Sequence, residues 1–104
     1  MLNKSRFIDM ENNLKPTVKE KDWISFGDEV VPRRAVVVTV YQNNMSKDIE
    51  VVYLDLDRAI AEDMVWKSGK WEFVIQGPNG TYADNSPRFR EYISILRAGY
   101  KYHN

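Results

Sequence analysis

The chain has no cysteine. Disulfides, thiolate metal sites and cysteine nucleophiles are therefore excluded, and a reducing, intracellular setting is favoured. Histidine is almost as scarce. The single one, His103, sits next to the last residue of the 104. A Ser-His-acid triad would have to recruit that terminal side chain, so catalysis of this type is not expected. No apolar run approaches the roughly 20 residues that span a bilayer. The longest, Ala35 to Val40, is interrupted by Thr39. Met1 to Phe7 lacks the apolar core of a signal peptide, so a cytoplasmic protein without membrane attachment is expected. Gly77-Pro78-Asn79-Gly80 is not followed by Lys-Ser/Thr and reads as turns, not as a phosphate loop. An excess charge of one sign is also missing: 15 Lys+Arg balance 15 Asp+Glu. That argues against non-specific nucleic-acid binding and equally against an acidic mimic of nucleic acid.

What the chain does have is aromatic residues: three Trp, six Tyr and four Phe. At this length one domain with one core suffices. The organising stretch is Val65 to Ile75. Ser68-Gly69 fits a two-residue hairpin turn, with Gly69 at positive φ. In that register Trp66 faces Trp71 and Lys67 faces Lys70. Trp71, Phe73 and Ile75 then alternate with polar or smaller residues, the period of a strand with one apolar face. This face is expected to lie under the C-terminal helix.

Residues 1–22 read as a polar N-terminal arm or a short helix carrying Phe7, Met10 and Leu14, and residues 23–104 as a single α+β domain. Trp23 to Phe26 suggests a short strand. Glu29 to Pro32 suggests an extended edge, because Pro cannot donate to a ladder. Arg34 to Gln42 is apolar and β-branched on both faces, as in a central strand, with Val36, Val38 and Val40 sharing one of them. Ile49 to Asp55 is its hairpin partner. Leu56, Ile60 and Met64 recur at i, i+4 and i+8, and with Ala59 and Ala61 they suggest a short helix near 57–63; the alternative is a strand that runs on into the Trp hairpin. Thr81-Tyr82 is a brief strand. Ser86-Pro87 is a helix start, Phe89, Ile93 and Leu96 form the helix stripe, and Gly99 supplies the stop. The expected fold is a twisted, mainly antiparallel sheet of about five strands with a C-terminal helix packed across one face.

Charge is uneven along the chain. Residues 43–65 carry six anions and two cations, whereas residues 86–104 carry four cations and one anion. These segments either pair within the fold or steer a partner.

A small non-catalytic binding module, acting through a protein partner or self-association, is the favoured function. Small cysteine-free chains of this kind occur among phage accessory proteins and bacterial inhibitor or immunity proteins. The expected surface joins Arg88, Arg90 and Arg97 with a tail carrying Tyr100 and Tyr102, since Arg and Tyr anchor interfaces. An alternative is a nucleic-acid-binding protein that uses Trp66, Lys67 and Lys70 of the hairpin with Arg33 and Arg34, aromatic platforms beside cations being how single strands are held. A more distant alternative places a divalent cation on Asp55 and Asp57, which would share a strand face. No metal or cofactor is otherwise implied.

Overall fold

The computed structural model describes residues 14–75 and 80–103, with side chains to residue 99. Five strands run in order as an antiparallel meander: β1 (Trp23–Gly27), β2 (Pro32–Val40), β3 (Ile49–Asp55), β4 (Arg58–Lys67) and β5 (Lys70–Phe73). A two-residue strand, β6 (Thr81–Tyr82), pairs with β4 beside β5. A 3-10 turn, Pro87–Phe89, leads into the helix α1 (Arg90–His103). The α+β architecture expected from the sequence is present. The sheet also curls until β5 lies against β1, closing most of a barrel.

The Trp hairpin forms as its sequence dictates. Ser68 and Gly69 both take positive φ, 56° and 81°. That is the signature of a type I′ turn, whose twist matches the flanking strands. Trp66 pairs with Trp71 and Lys67 with Lys70. The two indoles meet edge to face, 5.2 Å between centroids.

The sheet separates two cores. The inner one lies in the hollow of the curl and contains Ile24, Phe26, Val37, Val51, Met64 and Trp71 among others. Phe26 of β1, Tyr53 of β3 and Phe73 of β5 close it, with ring centroids 5.4–5.5 Å apart. The outer core lies between the convex face and α1, where Phe89, Ile93 and Leu96 cover Val36, Val52, Ala59 and Ala61. The Trp71–Phe73 stripe therefore faces the hollow, not the helix, and Ile75 is exposed.

Three further expectations need correction. Residues 57–63 are not a helix, because β4 runs from Arg58 to Lys67. The alanines that suggested one are fully covered at Ala59 and nearly so at Ala61. Their small size lets α1 approach the sheet, so packing and not helix propensity chose them. Val36, Val38 and Val40 do not share a face. A bulge between Val37 and Thr39 turns Val40 into the inner core, while Val36 and Val38 stay under the helix. Gly99 does not stop α1, whose backbone continues to His103. A Cβ at Gly99 would overlap the Trp23 ring, so this glycine is a close-approach site. Ser86 is extended and makes no side-chain cap bond, which leaves Pro87 to set the entry.

The described part of the N-terminal arm runs along the sheet. Lys21 N–H donates to the Val37 carbonyl and Val37 N–H to the Asp22 carbonyl, both at 2.8 Å, and Val18 packs on the inner core. The proposed helix of Phe7 and Met10 lies outside the described residues.

Candidate functional site

Strand order brings two connections to the same end of the barrel. The β1–β2 loop spans Asp28 to Val31. Leu56 and Asp57 turn β3 into β4, since Asp55 pairs with Arg58. Ala35 pairs with Tyr53, and continuing that register sets Arg33 beside Asp55. The hydrogen bond from Arg33 Nη2 to the Leu54 carbonyl, 3.2 Å, ties the two strands there. Three large aliphatic side chains stand out at this end. Val30 is 86%, Val31 70% and Leu56 93% exposed. Leu56 also has φ +56°, a left-handed conformation that L side chains other than Asn or Asp rarely adopt. Exposed carboxylates flank them in the two connections, Asp28 and Glu29 in one and Asp55 and Asp57 in the other, with exposed Arg58 next in the chain. Asp28 shapes its loop, its Oδ1 accepting from Val30 N–H at 2.7 Å.

Beside this end, a cleft of about 460 Å³ opens between β1 and β5. Its walls are Phe26, Trp71 and Phe73, and Arg33 reaches into it. The Arg33 guanidinium lies 5.3 Å from the Phe26 centroid and 4.8 Å from that of Tyr53. Further inside the hollow, Tyr53 Oη donates to Glu62 Oε1 at 2.9 Å. Glu62 is 8% exposed, and its Oε2 has no partner among the described residues. Burial pushes its carboxyl above the ordinary glutamate range, against the lowering effect of the Tyr53 hydroxyl. Tyr53 is in turn pushed up, first by burial and then by Glu62.

The arginines expected to greet a partner are mostly occupied. Arg88 clasps Glu50 with both ends of its fork, at 2.9 and 2.6 Å. Arg97 joins Asp84 Oδ1 at 2.8 Å and the Asp57 carbonyl at 3.0 Å, fastening α1 to the barrel end. Arg90 is exposed on the helix. Thus Arg88 brings the acidic and basic segments together within the fold. The backbone at Tyr100 and Tyr102 is helical, not a tail, and their side chains lie outside the described residues.

The alternative set is divided by the pleat. Trp71 is buried and offers no open face for a base to cover, while Trp66, in edge-to-face contact with it, is half-buried. The Trp66 backbone N–H donates to Asp48 Oδ2 at 2.8 Å. Lys67 and Lys70 are exposed on the hairpin. Arg33 points into the cleft, whereas Arg34 stacks at 4.0 Å over Trp23 on the helix side. Asp55 and Asp57 do not share a strand face, because Asp57 belongs to the turn. Among the described residues no three His, Asp or Glu groups could hold a metal ion together.

Sequence reasoning missed Val30, Val31, Leu56 and the inward aim of Arg33. The available signal was Asp55-Leu56-Asp57-Arg58, a turn-forming run with one aliphatic residue in it. No family model, curated protein or solved structure matches this chain. No helix among the described residues is long and apolar enough to cross a membrane.

Proposed function

We propose that the protein works by binding a protein partner, without catalysis, through the barrel end that carries Val30, Val31 and Leu56. One observation carries this reading: three aliphatic side chains, each at least 70% exposed, stand on two adjoining connections, one of them in a left-handed conformation. Scattered exposed aliphatics need no explanation, but three at one end, with Leu56 held at a backbone cost, do. Burying each would contribute about 1.5–3 kcal/mol to a complex. The four surrounding carboxylates select the partner. Even with exposed Arg58 opposite Asp55 this end stays net negative, so two copies face to face would repel and self-association is disfavoured here. A different protein, with an apolar recess rimmed by Lys or Arg, is the complementary surface. This moves the expected interface away from Arg88 and Arg97.

The test is capture from source-cell extract with the parent and with a Val31→Asp/Leu56→Asp double variant. Both positions are exposed, so folding is unaffected. A protein retained by the parent, lost by the double variant and released as salt rises agrees with the reading. Equal retention by both would overturn it.

A further inference from the structure

We propose that the cleft between β1 and β5 is a binding site for a carboxylate carried on an apolar body, with Arg33 as the recognising group. The inference stands apart from the partner reading above. Its first support is the state of Arg33. Of five N–H donors, one reaches the Leu54 carbonyl; among the described residues Arg33 has no ion pair. The guanidinium is held in place by the Phe26 and Tyr53 rings, as a preorganised fork would be. A planar carboxylate meets such a fork with two parallel hydrogen bonds.

The second support is the surroundings. The cleft volume, about 460 Å³, lies within the roughly 300–1,000 Å³ of small-molecule sites. Phe26, Trp71 and Phe73 supply an apolar wall beside the fork. The other charges leave Arg33 without an ion pair among the described residues: Asp55, beside it in the register, is exposed at the barrel end and makes no ion pair with it. Lys70 and Glu72 alternate with Trp71 and Phe73 along β5, so they stand at the rim, one of each sign. Asp28, also at the rim, turns its Oδ1 to the Val30 amide. Glu62 is the inward acid; it is engaged by Tyr53, and burial disfavours its charged form by more than the attraction of Arg33 favours it. Among the described residues Arg33 is thus a cation in no ion pair, facing a recess that fits a carboxylate.

The carboxylate could belong to a free small acid or to an acidic residue of a peptide. Titration followed by amide NMR shifts separates these sources. The probes are N-acetylphenylalanine, its uncharged amide, the blocked peptide acetyl-Phe-Glu-Phe amide, and inorganic phosphate. The expected result is saturable shifts at Phe26, Arg33, Trp71 and Phe73 with at least one carboxylate probe, and at least fivefold weaker binding of the amide. Tighter binding of the first acid marks a small ligand; tighter binding of the peptide marks an acidic segment. Arg33→Leu should lose the response while keeping a dispersed spectrum, and Arg33→Lys should keep part of it. Equal binding of acid and amide, tighter binding of phosphate, or no shift with any probe would overturn the proposal. The Val31→Asp/Leu56→Asp variant keeps the cleft residues, so its titration should match the parent even where partner capture is lost.

Discussion

Replacing Leu56 by Asn should make the protein more stable. Leu56 sits at φ +56° and is 93% exposed, so truncating it gives up almost no packing. The left-handed conformation costs an L residue about 1–2 kcal/mol. Asn tolerates it better, because its short amide bonds the local backbone. Recovering about half of the cost gives a gain of about 0.5–1 kcal/mol. In a domain of this size that corresponds to a melting temperature higher by about 2–6 °C. Ser68 is the control. It has the same φ, 56°, in the β4–β5 turn, and Ser68→Asn should give a gain of similar sign. The assay is thermal melting by circular dichroism with urea titration at 25 °C. The two variants should part in partner capture, which Leu56→Asn weakens and Ser68→Asn leaves alone. A Leu56→Asn protein that melts at or below the parent would refute the reasoning, because Leu56 would then be making stabilising contacts.

Glu62→Gln tests the buried acid. Burial raises the folded-state carboxyl above its unfolded value, so its favourable contribution is full below about pH 4.3 and is lost as pH rises through the raised value. Gln has no such loss, so the melting gain of the variant over the parent should be larger at pH 7 than at pH 4; a gap independent of pH would contradict this. Gly99→Ala should destabilise by about 1–3 kcal/mol in urea, although Ala favours helix by about 1 kcal/mol, because its Cβ would overlap the Trp23 ring. Trp71→Ala and Phe89→Ala, one in each core, should each cost about 3–5 kcal/mol, and melting within a degree or two of the parent would mean the cores are wrongly assigned.

The parts of the fold set by neighbouring residues were legible in the sequence. Ser68-Gly69 specifies its own turn, and the Trp66–Trp71 register follows from turn length alone. The β-branched runs of β2 and β3 left no competing structure, and Thr81-Tyr82 was brief enough to read directly. What was not legible depends on distant contacts. Ala59 and Ala61 look helical until α1 is known to cross them. Gly99 looks like a stop until Trp23 is found against it. The alternation at Trp71 and Phe73 announces a buried face but not which side buries it; that follows from the curl, which brings Phe26 to Phe73. The candidate site shared this difficulty. Arg88 and Arg97 had the composition of an interface, yet Glu50 and Asp84 lie within reach only after folding. Val30, Val31 and Leu56 come to one end only through strand order, which no local pattern encodes.

The most direct test of the partner-binding account is site-specific photo-crosslinking in cells of the source organism. A photoreactive residue would replace Val31 or Leu56 and, separately, Arg90 on α1 or Met45 on the β2–β3 loop, all exposed positions. The account predicts the same discrete protein adduct from positions 31 and 56, and none from 90 or 45. An adduct from Arg90 alone, or equal adducts from all four, would contradict it.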